Sequence, residues 1–240
     1  MKDLRTLVEN LEIIGKSGIE KVKVFPEDDQ TRIKGMDDDQ SPTVLIDDHI
    51  PDIGVDRAMI IPHLSQFLAK MQLFDLDKVK ITEQGSDEYY RNIEFRQGNR
   101  KTLISMGNKS SMKNFEIPED RVVFQHKIDS TEFASINKAI AATNKGGKVT
   151  QINLSSNGEK VFVNIKDDIT GDFYQDMITE LDENESDRWS HQWNKTRFVS
   201  LVREAIRLNE EKPCSTKVTE HGIMFIDVGG LKFALSPMVQ

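Results

Sequence analysis

Four segments of the chain place apolar residues at positions i, i+3, i+4 and i+7, the spacing that lines one face of an α-helix. They span residues 4–11, 64–71, 133–140 and 198–205, and the third is less regular because Asn137 occupies its i+4 position. Gly15 is expected to stop the first helix, and Pro62 suits the first turn of the second. Asp129 followed by Glu132 marks the start of the third helix, which Gly146-Gly147 is expected to end.

Short runs between these helices read as β-strands. They lie at residues 22–25, 43–46, 79–82, 92–95, 101–105, 122–127, 149–154, 160–165, 217–218, 223–227 and 231–235. Ser156-Asn157-Gly158 predicts a hairpin between two of them, because Asn-Gly favours a tight turn. Gly229-Gly230 joins the last two strands.

The elements follow the order helix, strands, helix, strands, and then repeat it. Leu4 and Phe133 are 129 residues apart, and Leu64 and Phe198 are 134 apart. Two units of about 120 residues would account for this spacing. We predict an α+β fold with two similar domains, each of two helices packed on antiparallel sheets. The domains are expected at residues 1–106 and 122–240, with a polar connector at 107–121.

Composition agrees with a soluble globular protein. The chain has 240 residues, of which 37% are hydrophobic, and the mean hydropathy is −0.50. No apolar run approaches the roughly 20 residues of a membrane-spanning helix, and no secretory signal opens the chain. A single cysteine, Cys214, excludes an internal disulfide. An intracellular location is expected.

Positive charge is concentrated in the predicted helices, although the net charge is −8. Residues 2–16, 62–73, 127–148 and 194–208 together hold 12 basic and 6 acidic residues, while the other 176 residues hold 20 basic and 34 acidic ones. One amphipathic helix often has a charged outer face. Four helices that favour one sign in an acidic protein instead indicate a surface that attracts a polyanion.

Helical geometry places six cations opposite the apolar stripes, and Lys70 nearer an edge. The six are Arg5, Lys16, Lys138, Lys145, Arg203 and Arg207. Glu9 and Glu12 share the outer face of the first helix and weaken its case. No base-reading or single-strand stacking motif accompanies these cations, so the pattern suits duplex DNA held through its phosphates.

Motifs for catalysis or metal binding are incomplete. Gly15-Lys16-Ser17 lacks the earlier glycine of a phosphate-binding loop, and Asp37-Asp38-Asp39 lacks calcium-loop spacing and reads as a solvated turn. The five histidines have no ligand spacing. The segment 189–193, Trp-Ser-His-Gln-Trp, is either an aromatic packing segment, which we favour, or a ligand cage. We therefore expect no enzyme activity, cofactor or metal.

The tail at residues 230–239, Gly-Leu-Lys-Phe-Ala-Leu-Ser-Pro-Met-Val, resembles the C-terminal strand and tail of DNA sliding clamps, the processivity factors of DNA polymerases. Residues 122–240 are similar to a clamp domain, and residues 1–105 agree mainly by pattern. Ala234 stands where the family has a second aromatic residue. The chain resembles the two-domain type of proliferating cell nuclear antigen and T-even-like phages. Its early first helix is closer to the phage branch.

This resemblance implies a homotrimeric ring with sheets outside and helices around double-stranded DNA. Phosphate contacts would come from the seven cations named above, with Lys2, Lys195 and Arg197 as second choices. Ring closure would place residues 101–105 of one chain beside 173–178 of the next. An ATP-dependent clamp loader is implied as a partner, and the host cytoplasm as the location if the protein is viral.

The resemblance also implies a pocket for a C-terminal or internal peptide of the polymerase. By match, its residues would be Ala234, Leu235, Ser236 and Pro237, with Met112, Phe115 and Ile117 of the connector as neighbours. For Leu235, packing in the closing strand explains the residue equally well.

Two alternatives remain open. The chain could be a monomeric polymerase accessory subunit of the same fold, which binds DNA directly through its basic helices. It could also lie outside the clamp family, as an α+β enzyme or a single-strand DNA-binding protein.

Overall fold

The computed structural model describes residues 1, 3–38, 42–118, 120–181, 187–210 and 212–238. The chain divides into two compact units, Met1–Ile117 and Pro118–Gln240. The division falls within the polar stretch at 107–121. Among the described helices, none is both long and apolar enough to cross a membrane.

The first unit consists of two helices and two antiparallel groups of strands. Its elements are α1 (Leu4–Lys16), β1 (Lys21–Glu27), β2 (Gln30–Met36), β3 (Val44–Pro51), β4 (Met59–Ile61), α2 (Leu64–Met71), β5 (Lys80–Gly85), β6 (Tyr90–Gln97) and β7 (Arg100–Ser105). Neighbouring strands follow the orders β4-β1-β2-β3 and β5-β6-β7. The two helices contact each other.

The second unit repeats this plan with one strand more before its first helix. Its elements are β8 (Val122–Ile128), α3 (Ser130–Thr143), β9 (Gln151–Asn157), β10 (Lys160–Lys166), β11 (Phe173–Glu180), β12 (Arg188–Asn194), α4 (Lys195–Leu208), β13 (Cys214–Thr219), β14 (Met224–Val228) and β15 (Leu231–Leu235). The strand orders are β8-β13-β14-β15 and β12-β9-β10-β11. The predicted α+β class, with antiparallel sheets and two helices in each half, is confirmed over the described residues.

The first helix does not stop at Gly15, as its sequence suggested. The helix continues to Lys16, and Gly18, with φ of 85°, supplies the left-handed residue that ends it. Gly15 serves packing instead, because a Cβ atom there would lie 3.2 Å from Leu68 Cδ1 on α2. The expectation that Pro62 lies in the first turn of α2 was also wrong, because His63 is the N-cap of α2 and Pro62 precedes it.

The predicted start of α3 is confirmed, whereas the helix ends at Thr143, before the predicted Gly146-Gly147. The Asp129 carboxylate accepts a hydrogen bond from the backbone N–H of Glu132 and caps the helix. A 3-10 turn, Asn144–Gly146, follows the last helical turn, and Gly147 adopts φ of 75°. The predicted hairpin between β9 and β10 is present, and both residues of Gly229-Gly230 have positive φ.

Strand β2 was not expected from the sequence. Its inward positions hold Thr31, Ile33 and Gly35, so only one of them is a large apolar residue. Gly35 is required because a Cβ atom there would lie 2.9 Å from Ile46 Cγ2. The alternation of apolar and polar residues is therefore weak in β2, because this strand packs through a close approach to its backbone rather than through large side chains.

Helices α1, α2 and α4 bury most of their predicted apolar stripes, whereas α3 buries only Ile136 of the four positions predicted for it. Leu7, Leu11 and Phe67 are buried in the first unit, as are Phe198 and Leu201 in the second. Each such side chain contributes about 1.5–3 kcal/mol by leaving water.

The segment 189–193 forms most of β12 and packs as an aromatic row. Trp193 is fully buried, and its Nε1 donates to the Gly222 carbonyl at 2.8 Å. Trp189 stacks with His191, with ring centroids 5.8 Å apart, and also contacts Phe124 on β8. The favoured interpretation of this segment as core packing agrees with these contacts.

Asp167 ties the turn after α3 to the loop between β10 and β11. The residue is fully buried, and its carboxylate accepts backbone N–H groups of Gly146 and Ile169 at 2.8 Å and of Thr170 at 3.1 Å. Burial alone would raise the pKa of Asp167, but these N–H groups outweigh it, and the pKa lies below its usual range.

We predict that Asp167→Asn lowers the Tm at pH 7 by about 2–5 °C, because one buried carboxylate oxygen is replaced by an NH₂ group that cannot accept. A carboxyl group with a depressed pKa stabilises the fold above its unfolded pKa, and this contribution is lost as pH falls through the folded pKa. The Tm difference should therefore shrink below about pH 4. Thermal unfolding of both proteins from pH 3 to 7 measures this, and a constant difference would contradict it.

Candidate nucleic-acid interface

The solvent face of α3 and the 3-10 turn that follows it combine small residues with two lysines, Lys138 on the helix and Lys145 on the turn. Ala134, Lys138, Ala141 and Lys145 follow one another at intervals of four, three and four residues, and all are exposed. The short alanine side chains do not project far from the helix, so a broad partner could approach the helix backbone closely. Sequence reasoning identified the lysines but missed the alanines, whose exposure could have been read from the same helical spacing.

The neighbouring helix α4, which contacts α3, presents two arginines one turn apart. Arg203 is exposed and has no ion-pair partner among the described residues, whereas Arg207 pairs with Glu204 at 2.8 Å. Lys195 and Arg197 begin the helix and are half-buried. Arg203 and Lys138 are therefore exposed cations of this helix pair that no described carboxylate neutralises.

Lys145 stands on the turn that Asp167 fixes. Its ammonium is 3.8 Å from the Asp172 carboxylate and is largely exposed. A contact this long and this exposed to water is weak, so it leaves the lysine able to reach a phosphate.

The helix pair of the first unit is less basic. Arg5 forms a two-pronged ion pair with Asp77, which raises the pKa of Arg5, and Glu9 is exposed on the same face. Lys16 is exposed at the end of α1. The Arg5 pair could not be foreseen from helical spacing, because its carboxylate lies 72 residues away.

Lys70 is half-buried beside a cleft of about 520 Å³ between α2 and β7. Leu103 and Ser105 of β7 line the same cleft. Lys2 lies outside the described residues.

The predicted peptide-pocket residues lie in two places. Ala234 and Leu235 are buried within β15, as expected if they pack in the closing strand. Ser236 and Pro237 are half-buried just after β15. The tail continues along β12, where the backbone N–H of Met238 donates to the Gln192 carbonyl at 2.7 Å.

The connector residues belong to the first unit. Met112 is buried against Met36 and Ile60, and Phe115 packs partly buried on the same apolar cluster. Ile117 is half-buried. The pocket assignments for all seven residues stay predictions.

One cluster of metal-ligating residue types lies in the second unit. Asp120, Glu220 and His221 place their ligand atoms within 4.8 Å of one another. His221 Nδ1 is 3.0 Å from the Asp120 carboxylate, and Arg121 lies 3.6 Å from that of Glu220. These ion pairs account for the cluster without a metal, and sequence spacing could not have revealed it.

Other motifs also have structural explanations. Gly15-Lys16-Ser17 forms the end of α1, and the Asp37 carboxylate accepts the backbone N–H groups of Thr43 and Val44 to shape a turn. Asp39 lies outside the described residues. Burial raises the pKa of the Cys214 thiol to about 12, so it is not a nucleophile at neutral pH.

Comparison with known proteins shows a fold but no close relative. No family model and no curated protein matches the sequence. The PCNA of Thermococcus kodakaraensis matches with a TM-score of 0.62 at 13% identity, covering 98% of this chain and 96% of that one. Proliferating Cellular Nuclear Antigen of Entamoeba histolytica matches with a TM-score of 0.60 at 14% identity, covering 97% and 95%.

The PCNA of A. fulgidus, solved with the C-terminal region of FEN-1 bound, also matches with a TM-score of 0.60. Identity is 12%, and the match covers 97% of this chain and 96% of that one. The chain therefore has the DNA-clamp fold over nearly its whole length.

We predict that Arg203→Ala weakens duplex binding and flattens its salt dependence, lowering the slope of log K against log salt by about one for each phosphate that the variant no longer binds. Arg5→Ala is the matched control, since Asp77 already neutralises that guanidinium. Fluorescence anisotropy with a labelled duplex at several salt concentrations measures both. Equal losses of affinity for the two variants would contradict the inference that the α3–α4 pair binds phosphate more strongly than the α1–α2 pair.

Proposed function

We propose that this protein is a DNA sliding clamp, which closes as a homotrimer around duplex DNA and tethers a DNA polymerase without catalysing a reaction. The observation that carries this proposal is the clamp fold, which spans 97–98% of the chain in three comparisons. Exposed cations on α3 and α4 support it, because a clamp needs phosphate contacts that ignore base sequence.

Two edge strands support ring closure. Strands β7 and β11 each end a sheet, so one side of each backbone has no strand partner among those described. Leu103 on β7 is 50% exposed, and Phe173 and Met177 on β11 are 60% and 46% exposed. Apolar edges of this kind favour pairing with another chain.

The charges of these edges are complementary. Strand β7 begins with exposed Arg100 and Lys101, whereas β11 exposes Asp176 and Glu180; within the chain, Lys101 lies 2.8 Å from Glu94 and Glu180 lies 3.3 Å from Lys160. The cleft beside Leu103 adds a recess that a side chain of the next copy could fill. Pairing of β7 from one chain with β11 from the next would bury the apolar residues and bring opposite charges together.

Partners beyond DNA follow from the same proposal. A closed ring needs a loader to open it, for which an ATP-dependent clamp loader is the expected partner. A C-terminal or internal peptide of the polymerase would bind near the tail at Ser236 and Pro237. Membership of the phage branch, and with it a host cytoplasm, stays a prediction from the sequence resemblance.

Retention on circular and linear duplex DNA tests this function. After loading, the clamp should stay on nicked circles through a wash at raised salt and should be lost once the circles are cut, because a ring leaves only at an end. Equal retention on both forms, together with a monomeric mass, would contradict the ring and favour the monomeric accessory subunit. Preference for single-stranded DNA would contradict both the ring and the monomeric accessory subunit.

We predict that Leu103→Lys or Met177→Lys reduces the mass in solution from three chains toward one, since each places an extra charge in the apolar edge contact. Val122→Lys is the matched control, because Val122 is also 46% exposed and lies on β8, an end strand that takes no part in the predicted contact. Light scattering at several concentrations measures the mass. A trimer that survives both edge substitutions, or dissociates equally with the control, would contradict closure through β7 and β11.

A further inference from the structure

Three cations stand side by side on one sheet face of the first unit. Lys80 on β5 is the register partner of Arg96 on β6, and Arg96 is the register partner of Lys101 on β7. All three are exposed, whereas Phe95, on the opposite face of β6, is buried in the core. Neighbouring strands lie about 5 Å apart, so the cations form a row about 10 Å long. We term these three residues the basic row.

The basic row is not neutralised within the chain. Like charges in directly opposed positions destabilise a sheet. Glu94, on the same face of β6, lies 2.8 Å from Lys101 and 3.8 Å from Arg96. No other carboxylate of the described residues lies within ion-pair distance of the row, so one negative charge serves three positive ones. The row therefore destabilises the single chain, and an anion brought to it would remove that cost.

The basic row begins at a strand edge that is proposed to close the ring. Lys101 lies on β7, which ends its sheet, and β11 ends a sheet of the second unit. Each of these strands runs antiparallel to its neighbour. An antiparallel contact between β7 and the β11 strand of the next copy would set the start of β7 beside the end of β11, where Glu180 is exposed.

The sequence that follows β11 is acidic. Residues 182–186 lie outside the described residues, and their sequence, Asp-Glu-Asn-Glu-Ser, carries three negative charges and no positive one. Asp182 is two residues beyond Glu180, the last residue of β11. An extended chain spans about 3.5 Å per residue, so Asp182 and Glu183 lie within about 7–10 Å of Glu180. That reach matches the length of the basic row.

We propose that the acidic segment 182–185 of one copy lies on the basic row of the next copy, and that these ion pairs make closure of the ring depend on salt. The proposal rests on the proposed function, because the segment reaches the row only where β11 meets β7. Its carboxylates supply the counter-charge that Lys80 and Arg96 lack. Salt screens exposed ion pairs and leaves the apolar contact of the two edges in place.

Charge reversal on each side tests the proposal on the full chain. The row variant carries Lys80→Glu and Arg96→Glu, and the segment variant carries Asp182→Lys and Glu183→Lys. We expect each variant to raise the concentration at which half of the chains are trimeric by about tenfold at about 0.05 M salt, and by much less at about 0.5 M salt. Light scattering over a concentration series measures this midpoint.

All four substitutions in one chain should restore the wild-type midpoint, because every contact then pairs opposite charges again. The segment variant also changes the net charge from −8 to −4, since two acidic residues become basic. General repulsion between copies would fall with this change and favour the trimer, so weaker assembly of the segment variant indicates specific pairing.

Arg91→Glu is the matched control, because Arg91 is also exposed on β6 but lies outside the row. This variant should leave the midpoint unchanged. An unchanged midpoint in both the row variant and the segment variant would overturn the proposal, as would a four-substitution chain that assembles no better than either variant. Weaker duplex binding by the row variant at an unchanged midpoint would assign the row to DNA instead.

These measurements separate the failure of the basic row from the failure of the clamp function. A wild-type chain that stays monomeric at every concentration and salt would refute the ring, and the row contact with it. A trimer that Leu103→Lys dissociates, but that both charge reversals leave intact, would keep the ring and refute the row contact alone.

Discussion

Unpaired backbone at two strand edges is the constraint on which the proposed ring depends. A strand at the end of a sheet leaves a row of N–H and C=O groups without partners, and most proteins cover or charge such edges. In this chain β7 and β11 instead expose Leu103, Phe173 and Met177. The two edges carry opposite charges, so a contact between copies would satisfy backbone, apolar and ionic groups together. A chain with one edge of each kind closes into a ring when the rotation between copies allows it.

The charge distribution suits a protein held in place by topology rather than by affinity. In the second unit, Lys138 and Arg203 project from adjacent helices without ion-pair partners in the described residues, while Arg5 in the first unit is neutralised by Asp77. In the proposed ring, a few exposed cations would give weak, salt-sensitive contacts that permit sliding. In the proposed ring, the acidic residues outside the helices would repel DNA from the rest of the surface.

Much of the fold could be predicted from the sequence, because α1, α2 and α4 follow strict apolar spacing and Asp129 caps α3 as expected. The sequence did not reveal features that depend on glycine having no side chain. Examples are the packing of β2 at Gly35 and the close approach of α1 and α2 at Gly15. For the candidate site, helical geometry placed six of the seven first-choice cations at positions that are exposed, while Lys70 is half-buried, and their contact with DNA stays a prediction. The partner of Arg5 could not be identified, because Asp77 lies 72 residues away in sequence.

Cross-linking of the two edges tests the ring most directly. Cysteines in place of Leu103 and Met177 in one chain, joined by a short bismaleimide, should yield closed trimers as the end product. The native Cys214 is buried and should contribute little background. When the reaction is run after loading on circular DNA, the account predicts trimers that stay on the circles in detergent and are lost on linearisation. Products that remain monomeric, or trimers that never resist detergent on circles, would contradict it.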